Sequence, residues 1–154
     1  MIHSLQELKA GKLIGSTRLK LACGLKEFPE EILSLAATLE ILDLSDNQLT
    51  ELPNSIGQLK KLRIIFFARN HFTEFPAILK ACPALSMIGF KSNQIHTVPE
   101  NAFPPLLNWL ILTDNKIKKL PKSIGDVRLL QKCALAGNLI EELHLQAKHL
   151  HFQP

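Results

Sequence analysis

Asparagine recurs in this chain at positions 47, 70, 93, 115 and 138, at intervals of 23, 23, 22 and 23 residues. That constant period constrains the fold more than any other feature. Each unit must be one supersecondary element that buries its apolar face only against its neighbours. The same apolar frame surrounds each asparagine. In the first unit Leu39, Leu42 and Leu44 precede Asn47, and Leu49 and Leu52-Pro53 follow it. The second unit has Leu62, Ile65, Phe67, Asn70, Phe72 and Phe75-Pro76. The third has Leu85, Ile88, Phe90, Asn93, Ile95 and Val98-Pro99. The fourth has Leu107, Leu110, Leu112, Asn115, Ile117 and Leu120-Pro121, and the fifth Leu130, Cys133, Leu135, Asn138, Ile140 and Leu143.

Apolar residues two apart, such as Leu42 and Leu44, point to the same side of a short strand. Successive strands then stack in parallel into one wall, and the apolar residues after each asparagine return the chain through the core. The asparagine amide both donates and accepts. Buried where the chain leaves the strand, it can satisfy backbone groups that no ladder reaches. The five asparagines are therefore expected to be a structural column. Pro53, Pro76, Pro99 and Pro121 set the turn into the outer segment.

A stack of repeats exposes an apolar cross-section at each end and needs caps. Ile2, Leu5 and Leu8 recur at helical spacing, and Ser4 with Glu7 has the spacing of a capping box, which predicts a capping helix over 3–11. A degenerate repeat follows: Leu19, Leu21, Leu25, Phe28-Pro29 and Ile32, with Cys23 and Gly24 where asparagine should stand. Pro104 and Pro105 forbid a regular helix on the outer side of the third unit. The domain reading is a single domain over 1–154: a cap over 1–12, about six repeats over 13–143, and 144–154 as a C-terminal cap or a truncated repeat.

The frame L-x-x-L-x-L-x-x-N-x-L, matched five times, resembles that of the leucine-rich repeat family. LPNSIGQL (52–59) and LPKSIGDV (120–127) are similar to its bacterial short-repeat type. LSMIGFKSNQI (85–95) and LNWLILTDNKI (107–117) look like the repeat module of bacterial proteins that join such repeats to a protein kinase. They also look like repeat effectors that intracellular bacterial pathogens deliver into host cells. The chain itself carries no Gly-rich loop, HRD or DFG. The resemblance implies an α/β fold: a right-handed solenoid with a concave parallel β-sheet and an irregular or short-helical convex side. It implies a protein that binds other proteins, with no catalytic residues and no cofactor.

Composition agrees. The chain has 154 residues, 46% of them hydrophobic and 21% charged, with a net charge of +4. No apolar run approaches the roughly 18 residues of a membrane span. No secretory leader is recognisable in MIHSLQELKAGK. Three cysteines without a CxxC spacing argue against a disulfide framework or zinc site and favour a reducing compartment. The expected location is the bacterial cytoplasm, with delivery to a host cytosol as the variant the effector resemblance adds. A monomer is expected, and nucleic acid is not an expected partner.

Function in such a frame sits on residues the frame does not need. The outward positions of each strand align in columns. The first reads Arg18, Ile41, Ile64, Met87, Trp109, Lys132; the second reads Lys20, Asp43, Phe66, Gly89, Ile111, Ala134. Ser45, Lys91 and Thr113 fall in a third column, and Asp46, Arg69, Ser92, Asp114 and Gly137 form a fourth. Ile41, Ile64, Phe66, Met87, Trp109 and Ile111 would lie side by side on strands ~4.8 Å apart. An apolar patch of that kind marks a binding surface. Gly89 is expected to leave a dip for a partner side chain, and Asp43, Asp46, Arg69, Lys91 and Asp114 to form a charged rim. The expected function is binding, with inhibition or regulation, of a partner protein such as an enzyme or a fellow effector. The alternatives are a scaffold fragment of a repeat–kinase enzyme and polyanion binding by Lys116, Lys118, Lys119 and Lys122. That lysine cluster reads first as a solvated face. His144, His149 and His151 lack a completing ligand set, so no metal site is expected.

Overall fold

The computed structural model describes residues 1–141 and, for the backbone alone, His151–Gln153. Seven three-residue strands form one parallel sheet in sequence order: β1 (Arg18–Lys20), β2 (Ile41–Asp43), β3 (Ile64–Phe66), β4 (Met87–Gly89), β5 (Trp109–Ile111), β6 (Lys132–Ala134) and β7 (His151–Gln153). Each turn of the right-handed solenoid contributes one strand, because a parallel neighbour can be reached only by a crossover. The central residues Leu19, Leu42, Ile65, Ile88, Leu110 and Cys133 sit in register and are buried.

Short 3₁₀ helices at Glu30–Leu35, Asn54–Gln58, Ala77–Ala81 and Lys122–Asp126 form the convex side, each entered through a proline in extended conformation. The third unit has none, as Pro104 and Pro105 require. Phe103, buried there, packs against Phe75 at 5.4 Å between ring centroids. Phe67, Phe72, Phe75 and Phe90 extend this cluster through the middle of the core.

The asparagine column works by sharing. Each amide nitrogen donates to the carbonyl three residues before it and to the equivalent carbonyl of the preceding unit. Leu44, Phe67, Phe90 and Leu112 each accept from two asparagines, their own and the next. Each side-chain oxygen accepts a backbone N–H of the preceding unit, as Asn70 does from Leu49 at 2.9 Å. Asn47 takes two, from Cys23 and Leu25, and so ties the degenerate repeat to the regular ones.

The cap is shorter than its sequence spacing suggests. Helix α1 spans Leu5–Lys9, and turns over 10–15 lead into β1. Ser4 and Glu7 form the capping box, and Leu8 is buried. Ile2 is not part of the core: it is 60% exposed, because the chain before Ser4 runs along the sheet edge instead of continuing the helix. There the His3 N–H donates to the Lys20 carbonyl at 2.8 Å, and His3 Nδ1 accepts the Lys20 N–H at 3.1 Å. This clamp covers the free edge of β1, which would otherwise offer unpaired groups to another chain. Ser4→Ala should cost about 1 kcal/mol of unfolding free energy, the usual value of an N-cap. A urea midpoint equal to wild type would refute that role.

At the other end β7 continues the sheet, with Cys133 opposite Phe152. The rest of the proposed C-terminal segment, including Leu143, His144 and His149, lies outside the described residues.

Candidate protein-interaction face

The register places the two outward columns as the spacing predicts. Arg18, Ile41, Ile64, Met87, Trp109 and Lys132 are lateral neighbours, as are Lys20, Asp43, Phe66, Gly89, Ile111 and Ala134. Ile41, Ile64, Phe66, Met87, Trp109 and Ile111 thus form one contiguous apolar band across β2 to β5. None of the six is fully open to solvent; each is half-buried, shielded by its neighbours on the wall. The large apolar side chains most open to solvent are elsewhere, among them Ile14, Leu106, Leu129 and Leu139. Sequence reading singled out none of these four.

Gly89 leaves no dip. A Cβ there would stand 2.9 Å from Phe66 Cδ1 and 3.8 Å from Ile111 Cδ1, because both side chains lean over the glycine. The missing side chain is filled from within the protein. Gly89 therefore lets Phe66 lie flat on the wall, instead of receiving a partner's side chain.

Trp109 anchors the band's C-terminal end. Lys132 Nζ lies 4.8 Å from the centroid of its ring, within cation–π range. Its indole N–H is buried with no acceptor among the described residues, and no other buried side-chain polar atom of these residues lacks a partner. An unpaired buried donor costs about 1–3 kcal/mol. The resting position of this ring is thus not fully satisfied.

Arg69 and Asp114 of the rim are held by lateral hydrogen bonds. Arg69 bridges Asp46 through both carboxylate oxygens, with Nη2–Oδ2 at 3.1 Å. Its guanidinium keeps the Asp46 carboxyl below the usual range, against a smaller opposing effect of burial. Asp114 accepts from Ser92 Oγ at 2.8 Å, Asp43 lies 3.9 Å from Lys20 Nζ, and Lys91 is exposed. The fourth column proves to be a turn: Asp46, Arg69, Ser92 and Asp114 have φ between 55° and 63°, and Gly137 has φ 74°. Left-handed backbone favours glycine and short polar residues. Gly137 and the aspartates were the legible signal of that turn, and Arg69 its exception.

A cleft of about 730 Å³ opens where the band meets the cap. Ile41 and Phe66 line it from the band, Arg18, Lys20 and Asp43 from the strands, and His3 from the edge clamp. Sequence reading missed it, because turns of the cap form part of its wall. Lys116, Lys118, Lys119 and Lys122 are exposed and follow β5 off the wall. Lys122 and Ser123 donate their backbone N–H groups to Glu100. Cys82 and Cys133 are buried, and burial pushes their thiols up to about 11 and about 12, away from nucleophilic thiolate. Among the described residues no group of three or more His, Cys, Asp or Glu could hold a metal, and no helix is long and apolar enough to cross a membrane.

The likenesses to known proteins point the same way as the frame. A family model described as Leucine Rich Repeat matches residues 38–59. The chain is 29% identical over 149 residues to the leucine-rich repeat-containing G-protein coupled receptor 5 of Rattus norvegicus, covering 94% of this chain and 15% of the receptor. It is 37% identical over 82 residues to the leucine-rich repeat and WD repeat-containing protein 1 of Xenopus tropicalis, covering 53% of this chain and 12% of that protein. Among solved structures, the functional domain of InlJ from Listeria monocytogenes superposes with a TM-score of 0.69 at 20% identity, over 89% of this chain and 29% of that one. The chain thus spans a small part of the curated relatives it matches. With the asparagine column, the parallel wall and the recurring frame, these likenesses establish that the chain belongs to the leucine-rich repeat family.

Proposed function

We propose that the concave wall binds another protein through the Ile41–Ile111 band and that binding regulates that partner without chemistry of its own. The observation that carries this reading is Trp109. A half-buried indole with an unsatisfied N–H, on the outer face of a sheet, is not needed by the repeat frame. A partner that lets the ring turn and offers an acceptor removes the cost of that N–H. Trp is also enriched among residues that dominate interface energy. Ile64, Phe66 and Met87 extend the same surface, and Asp43, Arg69, Lys91 and Asp114 border it as a polar rim does. Rigid repeats favour such binding, since few groups must be ordered on association. In the relatives, the matched segment is a small share of a longer protein, which supports reading it as an interaction module.

The test is a Phe66→Ala/Trp109→Ala double variant, compared with wild type as immobilised bait. Its thermal midpoint should fall by only a few degrees. Phe66→Ala uncovers Gly89, while Trp109→Ala also removes the orphaned donor. Affinity for the protein that wild type retains should drop by about 2 kcal/mol or more. Equal retention by a folded double variant would defeat the reading.

A further inference from the structure

We infer that the cleft between the cap and β1 to β3 receives an acidic side chain of the partner, and that this end of the wall sets the partner's register. The inference rests on the proposed concave interface and adds the chemistry of what it recognises.

The cleft's charge is asymmetric. Arg18 and Lys20 bring two cations to it and Asp43 one carboxylate. Lys20 stands 3.9 Å from Asp43, a long and partly solvated pair, and Asp43 also accepts the Ser45 N–H at 2.9 Å. Arg18 makes no ion pair with any described residue and is exposed beside Ile41 in the first column. Glu40–Arg63 and Asp46–Arg69, by contrast, are satisfied within the protein. The unpaired guanidinium therefore sits at the one place where the apolar band ends in a cleft, and its planar fork suits a carboxylate.

The site is also fixed in position. The His3 backbone and ring hold Lys20 from the edge side, and the Lys20 side chain rises from the same residue. Arg18 lies two residues earlier on the same strand and so on the same face. A partner segment with a Glu or Asp next to an apolar residue would place the carboxylate at Arg18 and Lys20. The apolar neighbour would then lie on Ile41 and Phe66. At the far end of the band Lys132 is engaged by the Trp109 ring. The two ends are therefore unlike: among the described residues, the first offers in Arg18 a cation outside any ion pair, and the second a lysine held over an aromatic ring.

Isotope-labelled protein titrated with acetyl-Leu-Glu-Leu-amide and with acetyl-Leu-Gln-Leu-amide tests this directly. The Glu peptide should shift the backbone amide signals of Arg18, Lys20 and Phe66 and bind about fivefold more tightly than the Gln peptide, as an exposed ion pair allows. Arg18→Glu should abolish that preference, while Arg63→Glu, on a satisfied pair away from the cleft, should leave it. A Gln peptide with a free C-terminal carboxylate should gain nothing over its amide. Equal binding of Glu and Gln peptides, no binding of either, or a gain from the C-terminal carboxylate alone would overturn the inference. With the partner retained by wild-type bait, loss on Phe66→Ala/Trp109→Ala but not on Arg18→Glu would leave the interface standing and remove the acidic anchor. Loss on neither would remove both.

Discussion

Phe90→Ala should lower the unfolding free energy by about 4 kcal/mol, within the range seen for truncating a fully buried aromatic. The ring of Phe90 is inaccessible to solvent and meets three others. It stacks on Phe67 at 4.9 Å and meets Phe72 and Phe75 edge-on at 5.0 and 5.5 Å. Removing it leaves a cavity bounded by three rings of the preceding unit, and these cannot collapse inward without dragging that unit's strand. The Phe90 carbonyl also accepts from both Asn93 and Asn115, so the backbone at this point is tied to two turns. For a domain of ordinary stability, about 5–15 kcal/mol, the loss is a large fraction of the whole. Urea unfolding followed by circular dichroism measures it. A single transition shifted by less than about 1 kcal/mol would mean that the core refills the space. Splitting into two transitions would show that the Phe67–Phe90 stack couples the two ends of the solenoid.

Asn47→Ala should cost about 3–4 kcal/mol and should exceed Asn93→Ala, although the two residues hold the same place in the frame. The difference follows from who else serves the same groups. Asn93 accepts one N–H, that of Phe72, and donates to the Phe67 and Phe90 carbonyls. Each of those carbonyls keeps a second asparagine, Asn70 or Asn115, when Asn93 is gone. Asn47 accepts two N–H groups, from Cys23 and Leu25, and donates to Leu21 O at 2.8 Å. The degenerate repeat has no asparagine of its own, so no second amide in the column serves Leu21. Equilibrium denaturation of the two variants gives the ranking directly, and a larger loss for Asn93→Ala would show that column position does not set the cost.

Much of this architecture was legible in the residues. The 23-residue spacing of the asparagines and the two-residue spacing of Leu42 with Leu44 placed six strands, their order and their register. The prolines marked the entry to each convex segment, and Pro104-Pro105 marked the unit without a helix. Ser4 and Glu7 revealed the capping box. These features depend on contacts that recur from one unit to the next, so a local pattern encodes them.

The face of the wall was legible only as a set of columns. Which residues point outward follows from a period of two. How open they are does not, because exposure depends on how side chains of adjacent strands lean on one another. Phe66 fills the space above Gly89, where a small residue by itself suggests a hollow. The unsatisfied indole of Trp109 and the Lys132 cation above it likewise need three dimensions. The cleft required a part of the chain with no repeat at all: residues 1–17 meet the wall only after the cap has docked. The sequence by itself therefore determined the repeat, the parallel wall and the asparagine column, since a periodic pattern can bury its apolar residues in one way only. The tertiary structure alone decided what the wall presents, because side-chain packing across strands and the docking of an aperiodic cap are set by distances that no spacing records.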